Sequence, residues 1–330
     1  MSSNPSAATA ADRPDAGGTP AVAVRTMRVD DLPACADVFH VALDKLSEGR
    51  REAPMPRNEA SLLRLYGRLL ASHPAGSAVD ELDGRIIGFG IAAEREWTWF
   101  LGFLFVEPPH QAHGIGRRLL EQILPAHGVD AWLAGGGSLA TCAEAIQLTS
   151  IGLYTSLGMR PRDPIYLLVG ALRADTLRPL PPSVEGVPFE RLESTLGAAW
   201  LGDVLAALDL AAVGHRRPID HRDDRAEGRK GVLFRDRGDG RALGYGYVQP
   251  SGRIGPAYVV EPELLEGLIG DLIGRAQPAG AWQFVVPGAS AAMPALLRAG
   301  LRFDEPPIIY CATAPNLAVE GYLLRSYALP

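Results

Sequence analysis

An apolar run, Leu101 to Val106, passes through Glu107-Pro108-Pro109-His110-Gln111-Ala112-His113-Gly114-Ile115-Gly116-Arg117-Arg118 into a segment whose apolar residues Leu119, Leu120, Ile123 and Leu124 recur at helical spacing. No other stretch constrains the fold as tightly. A buried strand must end and a helix must begin across one short turn, with no bulky side chain at Gly114 or Gly116. First-turn amides have no intrahelical partners and carry the positive end of the helix dipole, so glycines that admit an anion to the backbone make such a turn a phosphate cradle. The spacing excludes two better-known cradles: there is no Gly-Lys-Ser/Thr, and no third glycine where a dinucleotide fingerprint needs one. A plain tight turn before a helix is the competing reading.

Elements on either side extend the pattern. A strand is expected from Ala23 to Met27, then a helix capped by Asp30 or Asp31 with Leu32, Cys35, Val38, Phe39 and Leu43 on one face. Asn58 opens a second helix with Leu62, Leu63, Leu65, Tyr66, Leu69 and Leu70. Asp83-Gly84 marks a hairpin between Ser77 to Leu82 and Arg85 to Ala93, and Trp99 to Val106 continues the sheet. After the cradle helix come a strand from Ser138 to Cys142, a helix from Gln147 to Leu157 ended by Gly158, and a strand from Pro164 to Val169.

The proline-dense segment Arg178-Pro-Leu-Pro-Pro-Ser-Val-Glu-Gly-Val-Pro188 breaks every periodic pattern, and a linker is placed at 172–187. Beyond it the chain echoes itself. Gly84-Arg85-Ile86-Ile87-Gly88-Phe89-Gly90 returns as Gly240-Arg241-Ala242-Leu243-Gly244-Tyr245-Gly246, Val106-Glu107-Pro108 as Val260-Glu261-Pro262, and Leu157-Gly158-Met159-Arg160 as Ala299-Gly300-Leu301-Arg302. The ordered series argues for two copies of one fold. A length of 330 residues with 47% hydrophobic content suffices for two cores. The expected division is a disordered tail over 1–21, a first domain over 22–171, the linker, and a second domain over 188–330 with a docked apolar tail from Tyr322 to Pro330.

Two motifs together resemble those of the GNAT superfamily of acyl-CoA-dependent N-acyltransferases. Gln111-x-x-Gly114-x-Gly116 after Val106-x-Pro108 is similar to the family's motif A. Gln147-Leu148-Thr149-Ser150-Ile151-Gly152-Leu153-Tyr154-Thr155-Ser156-Leu157-Gly158-Met159 is similar to motif B, in which an asparagine commonly stands where Gln147 does. The resemblance implies an α/β (α+β) fold of two tandem GNAT-like domains, each a mixed, mostly antiparallel central sheet flanked by helices. It also implies a strand before the cradle that splays from its neighbour to hold pantetheine. Leu104, Phe105 and Val106 match that strand end. Ala112, His113, Gly114, Ile115, Gly116 and Arg117 match the diphosphate site, with Gln111 in the motif and Gln147 on the pantetheine arm. Arg117 and Arg118 can add contacts to phosphate oxygens or simply form a solvated helix face.

Tyr154 matches the family's general acid; a phenol near pKa 10 is close to a departing alkyl thiol, so proton transfer between them is nearly balanced. The base is less marked. A glutamate common on the strand before motif B is replaced by Cys142, which leaves Glu94 and Glu96, beside Trp97 and Trp99, as the nearest candidates; the alternative is two exposed hairpin-tip glutamates. Carrying the motifs across the repeat puts Leu265, Leu268 and Gly270 at the cradle positions and Leu296 at that of Tyr154, so the second copy reads as degenerate.

The expected activity is transfer of an acetyl group from acetyl-CoA to a primary amine of a small molecule by direct attack. The alternative is an acyl-CoA-binding regulatory or scaffold protein. With 32 basic against 38 acidic residues and a net charge of -6, no nucleic-acid partner is implied. Cys35, Cys142 and Cys311 fit neither a disulfide framework nor a metal site, and a reducing cytoplasm suits them. No apolar run nears 18 residues, so no membrane partner is expected, and the protein is read as a monomer or homodimer.

Overall fold

The computed structural model describes residues 22–54 and 57–328. The first half runs β1 (Val22–Thr26), α1 (Leu32–Arg50), α2 (Glu59–Ser72), β2 (Ser77–Leu82), β3 (Arg85–Arg95), β4 (Thr98–Val106), α3 (Ile115–Ile123), α4 (Val129–Ala134), β5 (Ser138–Glu144), α5 (Leu148–Ser156) and β6 (Arg160–Gly170). The second runs β7 (Val184–Pro188), α6 (Phe189–Leu196), α7 (Ala198–Val213), α8 (Pro218–Ala226), β8 (Lys230–Asp236), β9 (Ala242–Val248), β10 (Arg253–Val259), α9 (Leu265–Ile273), β11 (Trp282–Pro287), α10 (Met293–Arg298), β12 (Arg302–Phe303), β13 (Ile308–Ala312) and β14 (Tyr322–Leu323). The two halves share a common order of strand, helices, three strands, helix, strand, helix and strand, with α4 extra in the first and a third leading helix and two more strands in the second, and the three sequence echoes fall at matching places. Each marks the second strand of a hairpin (β3, β9), the exit of the next strand (β4, β10), or the glycine that ends a helix (α5, α10).

Local chemistry explains most elements. Asp83 and Gly84 both have positive φ (50° and 79°), the requirement of a tight hairpin turn. Asn58 Oδ1 accepts from the Ser61 N–H at 3.2 Å, capping α2. Asp31 behaves differently from expectation: its carboxylate turns back to the Arg28 N–H (2.7 Å) and the Arg25 guanidinium (2.7 and 2.9 Å), tying β1 to the helix start instead of capping α1. The last strand of the first half is longer than expected, and β7 already begins at Val184, inside the segment read as linker. The expected tail over 1–21 lies outside the described residues.

All strands join in one mixed sheet of order β1-β2-β3-β4-β5-β13-β6-β11-β10-β9-β8-β7, with β12 and β14 alongside β6 and β10. The halves exchange strands. β13, from the second half, lies antiparallel between β5 and β6 of the first, with Ile308 opposite Glu144 and Ala312 opposite Ala140. β6 in turn pairs with β11 of the second half, from Ile165 opposite Pro287 to Gly170 opposite Trp282. A buried cluster accordingly mixes Phe100, Ala140 and Ile165 with Leu205, Tyr245, Tyr310 and Tyr322.

The second half also buries a charged network. Asp209 accepts from the Arg217 N–H (3.1 Å), His221 Nε2 (2.9 Å) and the Tyr245 hydroxyl (2.8 Å), while Arg217 donates to the Tyr322 hydroxyl (2.8 Å). Burial pushes the Asp209 carboxyl up, but Arg217, His221 and Tyr245 outweigh it and bring it down to about 2. Nearby, burial and the Arg217 charge lower His215 to about 4. The folded protein thus keeps His215 neutral where the unfolded chain, with an ordinary pKa near 6.5, binds a proton. The stability this gives is complete above pH 6.5 and is lost as pH falls toward 4. Urea melts at pH 7 and pH 5 are expected to differ by about 2 kcal/mol, with the lower value at pH 5. His215→Gln should shrink that difference; an undiminished difference would assign it to other groups.

Candidate functional site

The junction between β4 and α3 forms as a cradle. Ala112 (φ 64°) and Gly114 (φ 80°) both take left-handed backbone, which turns the chain so that the helix starts at Ile115. The first i→i−4 bond of α3 is donated by Arg118 to the Gly114 carbonyl at 3.1 Å, so the N–H groups of Ile115, Gly116 and Arg117 precede the ladder. Gln111 through Gly114 are exposed, and a groove of about 450 Å³ opens beside them, lined by Leu82, Ile87, His110, His113, Ile115 and Arg118.

Several side chains assigned to the cofactor brace this loop. Gln111 Nε2 donates to the Val106 carbonyl at 2.9 Å, tying the loop to the end of β4. His113 Nδ1 lies 2.7 Å from the Gln111 carbonyl. Arg118 reaches the buried Asp80 at 2.8 Å and the His113 carbonyl at 3.3 Å, so its charge is already matched inside the protein. Arg117 lies exposed, 3.4 Å from the Ser156 hydroxyl on α5. An anion in the cradle would therefore meet main-chain N–H groups first, with Arg117 as the nearer of the two guanidiniums.

β4 and β5 pair in parallel from Thr98–Ser138 to Leu101–Thr141, and there the pairing stops. β4 runs on to Val106 with its other edge on β3, Leu104 opposite Gly90 and Val106 opposite Gly88. β5 runs on to Glu144 with its other edge on β13. The strands thus open into a V whose arms are residues 102–106 and 142–144, and the free edge carrying Leu104, Phe105 and Val106 faces the gap.

The two faces of this V carry different chemistry. On the α3 side, Tyr154 packs with Leu139, Ala143 and Cys311, the last contributed by β13. Burial, with a smaller effect from Cys311, pushes the Tyr154 hydroxyl far above its usual range and keeps it protonated. Gln147 stands at the N-cap of α5 and donates its N–H to the Glu144 carbonyl at 2.9 Å. Alternation along β5 sends Cys142 and Glu144 to the opposite face. There Glu144 lies 3.3 Å from Arg50 at the end of α1. Burial raises the Glu144 carboxyl, Arg50 lowers it, and the net direction is up.

Neither expected base reaches the V. Glu94 is opposite Trp99 and sits 3.9 Å from His73, at the closed end of the β4–β5 pair. Glu96 occupies the β3–β4 turn and is held by the second half, accepting from the Arg216 N–H (3.0 Å) and guanidinium (3.2 Å). Glu144, which the sequence reading passed over, occupies the place sought for them. Its signal lies in the sequence: a carboxylate two residues beyond Cys142 falls on the same face of the same strand.

The second half lacks this arrangement. β10 and β11 pair in parallel only at Arg253–Gln283 and Ile254–Phe284. The gap beyond is filled by β14, whose Tyr322 and Leu323 pair with Tyr258 and Ala257 while Leu324 donates to the Val285 carbonyl at 3.0 Å. α9 follows its short helical turn directly, so the exposed loop Gln111 to Gly114 has no counterpart, and Leu265 and Leu268, the echo's cradle positions, lie fully buried within the helix.

Residues 38–159 match the Acetyltransferase (GNAT) family. An inferred acetyltransferase from Pyrococcus horikoshii superposes with a TM-score of 0.68 at 15% identity, covering 97% of this chain and 99% of that one. A GCN5-related N-acetyltransferase from Sphaerobacter thermophilus superposes with a TM-score of 0.58 at 15% identity, covering 88% and 95%. No curated protein matches in sequence. At such identities the superpositions speak for the fold, and the fold is shared along nearly the whole chain, second half included. The family match lies within the first half, over residues 38–159, and the acetyltransferases of that family use acetyl-CoA as acyl donor.

Proposed function

We propose that the first half transfers an acetyl group from acetyl-CoA to a primary amine of a small molecule, and that the second half is a non-catalytic copy completing the acceptor side. The observation that carries this reading is the V between β4 and β5, with a protonated tyrosine on one face and a half-buried carboxylate on the other. The main-chain N–H groups of Ala112 to Arg117 hold the diphosphate, and the free edge of β4 at Leu104 to Val106 pairs with the pantetheine arm. The thioester then lies in the gap. Glu144 takes a proton from the incoming ammonium, the freed amine attacks the thioester carbonyl, and the C–S bond breaks as Tyr154 gives its proton to the departing thiolate. A raised carboxyl pKa suits Glu144 to this exchange, because a base works best near the pH at which it operates.

Titrating acetyl-CoA, CoA and ATP into the whole chain by calorimetry tests the donor site. One site per chain, selective for CoA over ATP, is expected. Absence of CoA binding to the folded protein would rule the reading out; binding with no transfer to any amine would leave a regulatory acyl-CoA binder. Glu144→Gln is expected to lower kcat by about a hundred- to ten-thousandfold and to remove the acid limb of the pH–rate profile. An acid limb that survives the substitution would exclude Glu144 as the base.

A further inference from the structure

The V of the first half is closed at its apex by a segment of the second. The last β4–β5 pair is Leu101–Thr141, and Gly102 is the next residue of β4. There β4 also slips against β3: Leu101 is opposite Ala92 while Phe103 is opposite Ile91, so Gly102 is the extra residue of a bulge. A Cβ built on Gly102 would stand 2.8 Å from the Ala328 carbonyl oxygen, closer than a side chain tolerates. Backbone therefore lies against backbone at the point where the strands part, and glycine leaves the room for it.

The segment that brings Ala328 there is tied down along its length. β14 pairs with β10, and the Leu324 N–H donates to the Val285 carbonyl at 3.0 Å. Arg325, which is buried, donates to Asp224 on α8 at 2.5 Å and to Glu227 just beyond it at 3.0 Å. Glu227 is in turn 2.5 Å from Arg68 of α2, so the first half shares the anchor. Tyr327 packs against the buried cluster that holds Phe100 and Ala140, which are opposite each other just before the strands part, and Cys142 lies at the margin of the same cluster. Ala328 packs against the cluster of Ile91 and Phe103 under α1. Both residues stand on the face of the V that carries Cys142 and Glu144.

We infer that Tyr327 and Ala328 set the length of the acyl chain that the first half accepts, admitting acetyl and excluding longer chains. This inference rests on the transferase reading and deepens it by naming the part of the second half that limits the donor. In that reading the pantetheine arm runs inward from the cradle along the free edge of β4. Val106 and Gly102 are separated by about 13 Å of strand, a span that an extended pantetheine arm covers, so the thioester comes to the apex. The group beyond the sulfur then meets Ala328 and the Tyr327 ring. Strand pairing and buried ion pairs hold this segment in place, so room for further methylenes is made only by breaking those contacts, which is the cost of overfilling a packed site.

The test is calorimetric titration of the whole chain with CoA, acetyl-CoA, butyryl-CoA and hexanoyl-CoA. Hexanoyl-CoA is expected to bind about tenfold or more weakly than acetyl-CoA, with butyryl-CoA between them. Tyr327→Ala combined with Ala328→Gly should bring hexanoyl-CoA to within about threefold of acetyl-CoA, and Tyr327→Phe, which keeps the ring, should retain the discrimination. CoA carries no acyl group and reports whether the donor site is intact in each variant. Equal binding of all four by the whole chain overturns the inference and leaves the transferase reading standing, as does a double variant that binds CoA and still rejects hexanoyl-CoA. Failure of the whole chain to bind CoA overturns both. Tyr327→Ala alone, which leaves Ala328 on Gly102, decides the matter if the double variant does not fold: a gain for butyryl-CoA over acetyl-CoA supports the inference, and an unchanged ratio overturns it.

Discussion

A chain cut after residue 176 is expected to lose its cooperative melt and the proposed acetyl-CoA site together. The cut falls beyond β6, the last strand the first half contributes, yet it removes β13. Five register pairs on the β5 side and as many on the β6 side vanish, together with the six that join β6 to β11, leaving β5 bare on one edge and β6 bare on both. With net values of roughly 1 kcal/mol per hydrogen bond, and with buried Cys311 lost from beside Tyr154, the deficit is comparable to the whole stability of an ordinary domain. Circular dichroism against temperature, and calorimetry with acetyl-CoA, read both effects. A short chain that melted sharply and bound the donor would mean that β5 and β6 can close on each other without their partner.

Tyr154→Phe is expected to lower kcat by about ten- to a thousandfold while leaving acetyl-CoA affinity nearly unchanged. The hydroxyl is held protonated by burial, and the ring packs among Leu139, Ala143 and Cys311, so phenylalanine keeps the packing and removes only the proton donor. Direct binding of acetyl-CoA to the variant, set beside its turnover, separates a chemical role from a structural one. Equal turnover in the two proteins would take Tyr154 out of the mechanism.

The cradle was legible because its requirements are local: positive φ near Gly114, a helix start at Ile115 and an apolar strand before them are written within a few consecutive residues. The hairpin at Asp83-Gly84 and the cap at Asn58 were legible for the same reason. Strand exchange left no such mark. β13 alternates Tyr310 and Ala312 on one face with Cys311 on the other, and that pattern fits a sheet whichever strands flank it. The carboxylate proposed as base, Glu144, was missed through a related gap. Glu94 and Glu96 stand beside tryptophans in sequence, but distance from the V depends on where β4 and β5 part, a property of register that spacing within one strand does not reveal.

The position of β13 also bears on how this protein is made. Residues 138–144 leave the ribosome long before residues 308–312, so β5 must wait, unpaired on one edge, on the order of ten seconds for its neighbour at ordinary synthesis rates. During that interval the nascent first half is a sheet with an open seam, exposed to chaperones and to other chains. Contacts of such long sequence separation slow folding and prolong the exposure. Premature termination anywhere before residue 308 would then yield not a folded first half but an aggregation-prone fragment.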